Sequence, residues 1–231
     1  MLRRDSASPR SRLFEHKLLD FFELTAVTTA EGRYYTTPTG EAYPSVTTVL
    51  GKSLDKSGLD RWRARVGEEE ANRVSTQAAN RGTAIHTLAE RYLMNEIDWK
   101  REAMPVNLFT FSQIRPILDL HVGVVYGIEV PLYSHSLRCA GRTDCVAEWD
   151  GTPTIIDFKT SKRPKTEEWI QSYFLQATTY AMMMEEVTGI VVPKYAIVVA
   201  VDGSEPQVFT GEIAKFKDRV LDIFVNCRVQ V

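Results

Sequence analysis

The order of residue patterns along the chain predicts a mixed α+β fold, with helices packed on a central sheet. Three observations carry this. After Tyr126 the apolar residues recur with period two, over about 127–133, 138–149 and 154–160, as half-buried strands require. Before them lies a long stretch, about 59–94, rich in Arg, Glu and Ala and helical in its spacing. A second helical stretch, about 166–187, separates the three strands from two more, near 195–201 and 207–210.

Taken in order, β-branched and aromatic residues at 22–29 and 33–37 flank Glu31-Gly32 and predict an N-terminal hairpin. Ser45 or a nearby Thr is placed to cap a short helix ending at Leu50. Within the long helical region, Gly67 and Gly82 are expected to break or bend the helix. Another helix is expected over 107–122, and a closing helix over 214–226 after the Asp202-Gly203 turn. A chain of 231 residues holds one well-buried domain and is short for two. The opening MLRRDSASPRSR reads as a flexible tail or part of an organelle-targeting segment, and Asp5 and Pro9 favour the tail. The expected organisation is a tail over 1–20 and a single domain over 21–231.

Composition excludes more than it selects. No apolar run approaches the roughly eighteen residues that a membrane helix needs. Three widely spaced cysteines, Cys139, Cys145 and Cys227, argue for a reducing compartment and offer no Cys-x-x-Cys pair for a zinc ribbon or an iron–sulfur cluster. A net charge of −2 gives no sign of a protein that coats nucleic acid, though a local basic groove remains open.

The most informative stretch is GRTDCVAEWDGTPTIIDFKTS, residues 141–161. Asp150-Gly151 favours a two-residue type I′ turn. That turn sets Trp149 against Thr152, Asp144 against Asp157, and Arg142 against Lys159, while Asp157 and Lys159 share a face. Opposed carboxylates on a sheet, with Cβ atoms about 5 Å apart, repel unless one is protonated or a cation lies between them. An ordinary ion network with Arg142 or Lys159 is the plain explanation. The lysine two residues after the second Asp favours a metal instead, because it can touch the same phosphate as the cation. Oxygen ligands beside a phosphate suit Mg²⁺.

His86 and Glu90 share one face of a helix whose apolar residues are Ile85, Leu88, Ala89 and Tyr92. His86 is a structural histidine or a metal ligand, depending on whether that helix lies against the carboxylate hairpin. Trp169, Tyr173, Gln176 and Tyr180 form one helical stripe, open to two accounts: core packing, or a face that stacks on bases. Lys159, Lys162, Arg163 and Lys165 form an acid-free cluster, either a solvated loop or a phosphate-contacting one, with Thr160 and Ser161 as added donors.

In order, Gly82-x-x-x-His86, Glu129, Gly141-Arg142-Thr143-Asp144, Asp157-Phe158-Lys159 and Gln176-x-x-x-Tyr180 resemble the RecB-like branch of the PD-(D/E)XK nucleases. Each piece is weak alone; five in order and spacing are specific. The resemblance implies a restriction-endonuclease-like fold, a central mixed sheet flanked by helices with a helical N-terminal region. It implies a metal bound by His86, Asp144, Asp157 and the Phe158 carbonyl, a water oriented by Lys159, and a further acidic residue in Glu129. Gln176 and Tyr180 match a motif implicated in DNA binding and active-site support. Arg142, Thr160, Ser161, Lys162 and Arg163 are the remaining expected DNA contacts.

A likeness over more of the chain rests on Tyr43-Pro44-Ser45-Val46-Thr47-Thr48-Val49-Leu50, Arg61-Trp62 and Asp144-Cys145-Val146-Ala147-Glu148. These are similar to the mitochondrial genome maintenance exonuclease group and to phage proteins sharing the pattern. That implies an exonuclease acting on single-stranded DNA from free ends in replication, repair or recombination. Mg²⁺ or Mn²⁺ is required, with two ions when substrate is bound and no iron–sulfur cluster. An endonuclease or resolvase of the same fold, or an inactive DNA-binding module, are the alternatives. A monomer is expected, partnered by single-stranded DNA and by replication or recombination proteins, in a phage-infected or bacterial cytoplasm, with a mitochondrial setting open.

Overall fold

A computed structural model describes residues 13–55 and 57–226. The predicted hairpin forms as β1 (Thr25–Thr29) and β2 (Gly32–Thr36), and β3 (Ala42–Pro44) adds a third antiparallel strand. Ser45 then caps α1 (Val46–Ser53): its hydroxyl accepts from the Thr48 amide at 3.0 Å, one of the donors a helix start leaves open. The long helical region divides into α2 (Ser57–Val66) and α3 (Glu68–Leu93). Gly67 separates them with φ of +85°, a conformation that a side chain disfavours. Gly82, in contrast with the expectation, leaves α3 unbroken. One glycine costs a helix about 1 kcal/mol, and burial of Ile85, Leu88, Ala89, Tyr92 and Leu93 on the following turns outweighs that.

After α4 (Pro105–His121) the chain enters the main sheet. Its strands are β4 (Val122–Ser134), β5 (Cys139–Trp149), β6 (Thr152–Ser161), β7 (Lys194–Val201) and β8 (Gln207–Glu212), neighbours in that order. The pair β6–β7 is parallel and the others antiparallel, so the sheet is mixed. A short 3-10 turn, Glu167–Ile170, and α5 (Gln171–Thr188) make the crossover between the parallel strands. A second 3-10 turn, Ile213–Lys215, leads into α6 (Lys217–Asn226).

Helices cover both faces, giving the sheet two cores. On one face Val146, Ile155, Ile197 and Val199 pack with Phe174, Leu175 and Met183 of α5 and Val220 and Phe224 of α6. On the other, Cys145, Ile156, Phe158 and Val198 meet Ile85 and Leu88 of α3 and Phe111 and Ile114 of α4. That explains the unbroken apolar run of β7, which must satisfy a core on each side. The mixed α+β architecture predicted from the sequence is the one observed. Among the described residues no helix is long and apolar enough to cross a membrane.

The tail expected over 1–20 needs correction within its described part. Residues 13–20 lie along β4: the Lys17 amide donates to Val125 and the Leu19 amide to Tyr126, each at 2.9 Å. Phe14 is buried edge-on against Tyr92, and the His16 ring bonds the Leu93 carbonyl at 2.7 Å. Adjacent apolar pairs, Leu13-Phe14 and Leu18-Leu19, set among charges carry no strand period, so this anchoring left no sequence signal. Residues 1–12 lie outside the described region. Phe14→Ala is expected to lower stability by about 3 kcal/mol in urea unfolding, whereas a loose tail would tolerate the change without effect.

Candidate functional site

The carboxylate hairpin turns at Asp150-Gly151, whose φ values of +51° and +75° suit the type I′ turn. Pairing runs from Trp149↔Thr152 to Cys145↔Ile156, in the predicted register. There the paired ladder stops, one step short of setting Asp144 against Asp157. Instead of continuing the backbone pairing, the Phe158 amide donates to the Asp144 carboxylate at 2.7 Å. The expected facing of Arg142 and Lys159 therefore does not occur. Two opposed carboxylates disfavour a closed rung, and the strands part where those acids meet. Arg142 turns toward β4, where its guanidinium donates to the Glu129 carbonyl at 2.9 Å and pairs with the Glu23 carboxylate.

Packing of α3 against this hairpin decides the two readings of His86. Its Nε2 lies 2.6 Å from the Phe158 carbonyl oxygen and its Nδ1 3.4 Å from Asp144 Oδ1. Glu129 joins from β4, so that ligand atoms of His86, Glu129 and Asp144 lie within 4.8 Å of one another. Glu129 has φ of +50°, rare for a residue with a side chain. Ile128 before it packs toward the α3 side of the sheet and Val130 after it toward the α5 side, so the strand alternation is interrupted at Glu129. Burial, then the charge of Asp144, pushes the Glu129 carboxyl above its usual pKa, while His86 and Arg142 pull it down.

Asp157 is 3% exposed and ion-paired to Lys159. Burial raises its pKa to about 6, against the pull of Lys159 and with the repulsion of Asp144. For Lys159, burial opposes the charge, but Asp157 and Asp144 outweigh it and hold the ammonium protonated. The same ammonium lies 5.2 Å from the centre of the Tyr173 ring, a cation–π contact that sequence spacing did not reveal. About two turns further along α5, Tyr180 is buried and hydrogen-bonded to Gln176. Its ring covers Gly141, where a Cβ would meet the phenolic oxygen at 2.8 Å and Cε1 at 3.0 Å.

The remaining expected residues divide by exposure. Lys162 and Arg163 are exposed on the loop leaving β6, and Thr160 is half-buried. Ser161 is buried and donates its hydroxyl to the Arg163 carbonyl at 2.6 Å, so it braces the loop rather than facing outward. Trp169, at the outer end of the aromatic stripe, is 71% exposed. The four stripe residues thus have four surroundings, from solvent at Trp169 to the core at Tyr180.

The donors brought together fit a hard divalent cation: carboxylates of Asp144 and Glu129 and the His86 imidazole, with the Phe158 carbonyl on His86 and no thiolate among them, while Asp157 lies outside this group and is paired with Lys159. The repulsion among buried acids is the observation of this structure that such a cation would relieve.

The model of the PD-(D/E)XK nuclease superfamily matches residues 95–217, more than half of the chain. The chain belongs to that superfamily. Asp144, Asp157 and Lys159 lie inside the matched segment, and α3 brings His86 to it from outside. PD-(D/E)XK nucleases use divalent metals, in agreement with the donor set. The chain is 30% identical over 158 residues to the human mitochondrial genome maintenance exonuclease 1, covering 63% of this chain and 45% of that protein. With the Xenopus tropicalis counterpart it shares 28% identity over 129 residues, covering 53% of this chain and 37% of the relative. The chain therefore spans less than half the length of these curated relatives. A crystal structure of a putative exonuclease from Eubacterium rectale superposes only loosely, with a TM-score of 0.40 and 12% identity over 63% of this chain and 68% of that one.

Two predictions follow from the site. A raised folded-state pKa at Asp157 means that its contribution to stability is present at low pH and lost as pH rises through about 6. In EDTA, the wild type is expected to lose stability relative to Asp157→Asn as pH rises from 3.8 to about 6, and parallel urea profiles would exclude the shift. Gly141→Ala is expected to cost about 1–3 kcal/mol by forcing Tyr180 to move. Adding Tyr180→Phe should restore part of that loss, since it removes the nearest atom.

Proposed function

We propose that this protein is a metal-dependent exonuclease that hydrolyses phosphodiester bonds of single-stranded DNA from free ends, serving DNA replication, repair or recombination. The observation that carries the reading is the meeting of His86, Asp144 and the Phe158 carbonyl, from α3, β5 and β6, beside the Asp157–Lys159 pair. Membership of the nuclease superfamily supports hydrolysis, and the exonuclease names of the relatives support action from ends. The exposed Trp169 and the Lys162–Arg163 loop suit an unpaired strand, whose bases are free to stack and whose phosphates need cations.

Mg²⁺ or Mn²⁺ held by Asp144, Asp157, His86 and the Phe158 carbonyl would supply Lewis-acid polarisation of a phosphate oxygen. Lys159 holds a fixed positive charge beside Asp157, where it would orient the attacking water and stabilise charge growing on the phosphate. The Tyr173 ring helps to keep that ammonium in place. Tyr180 and Gln176 support β5 from beneath, through the contact with Gly141. An endonuclease of the same fold is the second reading, since nothing in the His86–Asp144–Asp157 geometry itself demands an end.

End-labelled linear single-stranded, linear duplex and circular single-stranded DNA separate these readings, each with Mg²⁺, Mn²⁺ or EDTA. Degradation confined to the linear single strand, absent in EDTA and reduced at least a thousandfold by Lys159→Ala, is the expected result. Cutting of the circle would replace the exonuclease with an endonuclease. Intact DNA throughout, with tight binding, would leave a binding module. Trp169→Ala is expected to weaken strand binding about tenfold while Trp169→Phe retains most of it.

A further inference from the structure

The segment before β1 does more than cover the sheet edge. It follows β4 step by step: Glu15 and Lys17 bond Val125, and Leu19 bonds Tyr126. Phe21 lies beside Gly127, where a Cβ would sit 3.4 Å from Cε2 of its ring. The next contact in this series is Glu23, whose carboxylate pairs with Arg142 of β5. Arg142 in turn donates to the backbone carbonyl of Glu129. The path therefore ends on the one residue of β4 with a left-handed backbone, whose carboxylate lies with the His86 imidazole and the Asp144 carboxylate.

Left-handed backbone at a residue with a side chain costs about 1–2 kcal/mol and persists only where its surroundings hold it. A guanidinium is suited to that task, because its planar fork presents two donors at a fixed angle. Here one nitrogen serves the Glu129 carbonyl and the other serves Glu23, so both ends of the fork are occupied within the protein. A side chain committed in this way is poorly placed to read a phosphate, the role its charge suggested in the sequence.

We propose that Arg142, braced by Glu23, is a positioning residue that fixes the left-handed turn at Glu129 and thereby aims its carboxylate at the metal-binding cluster. This rests on the metal-dependent reading above, and it assigns the N-terminal segment a part in the active site. Arg142 acts through Glu129 and touches neither metal nor substrate.

The test is a double-mutant cycle on Mn²⁺ affinity, measured on the full chain by electron paramagnetic resonance with the metal alone and no DNA. Arg142→Ala is expected to weaken Mn²⁺ binding about tenfold, as loss of an outer partner of a ligand typically does. Glu129→Gln should weaken it by a similar factor, and the double variant should be no weaker than Glu129→Gln alone. Arg142→Lys should recover part of the loss, since its ammonium can bond the carbonyl but lacks the two separated nitrogens that let the guanidinium reach Glu23 as well. Glu23→Gln, a milder change at an exposed position, should weaken binding a few-fold in the wild type and not at all beside Glu129→Gln. It serves as the test if Arg142→Ala does not fold. Equal losses from Arg142→Ala with and without Glu129 would overturn the proposal, as would unchanged Mn²⁺ affinity combined with weaker binding of single-stranded DNA. Failure of the wild type to bind Mn²⁺ would remove the metal-dependent reading and this inference together. Normal wild-type binding with no effect of Glu129→Gln would remove this inference alone.

Discussion

Repulsion among carboxylates brought together by three adjacent strands is the constraint on which the rest of the site depends. Asp144 lies one step beyond the last paired rung of β5 and β6, and Asp157 would be its partner. Continuing the β4–β5 register from Ile128↔Cys145 sets Glu129 beside the same Asp144. A sheet cannot close around such a row without protons or cations. The structure answers with both kinds of relief: the hydrogen bond from the Phe158 amide to Asp144, and the Lys159 ammonium on Asp157. Parting of β5 from β6 then frees the Phe158 carbonyl for His86, so the opening that relieves the repulsion also completes the donor set.

The surrounding layers hold this opening without filling it. The parallel pair β6–β7 is apolar on both faces and fixes Asp157 and Lys159 on a rigid strand. α3 approaches from one face with His86 one residue after the buried Ile85, and α5 from the other with Tyr173 and Tyr180. Packing energy comes from Ile85, Leu88, Phe174 and Leu175, while the polar side chains beside them are spared that task. Gly141 shows how close the fit is, since its missing side chain is the space that Tyr180 occupies.

Much of this was legible in the sequence because local rules decide it. Asp150-Gly151 determined the turn, the turn determined the register, and the register brought Asp144 toward Asp157. What escaped depends on contacts between distant segments. Arg142 was expected opposite Lys159 because the ladder was assumed to continue, and only the meeting of the acids shows why it stops. Glu129 carries no mark of its left-handed backbone, since glycine or asparagine is the usual signal for it. Gly82 looked like a helix breaker, but its cost is smaller than the apolar burial on the following turns. Residues 13–20 looked like a tail, because an edge segment held by backbone bonds and one phenylalanine has no period to read. Ser161 was a plausible phosphate donor until its hydroxyl was found closing its own loop.

Three departures from local rules meet at the site. A left-handed Glu129, an interrupted ladder at Asp144, and a buried Asp157 with its pKa raised to about 6 all occur on neighbouring strands at one level of the sheet. Left-handed backbone also occurs at Asn95, Glu102 and Arg138, but none of these belongs to the carboxylate cluster. Each departure taken singly has an easy remedy in ordinary side chains: glycine at 129, asparagine at 144 or 157, a longer ladder between β5 and β6. Stability alone would favour every one of those remedies. Together they would leave a sheet with no cluster of hard oxygen donors. Strain, an interrupted ladder and a buried acid meeting around donors that suit a divalent cation are the arrangement expected when the fold bears a cost for the sake of a ligand.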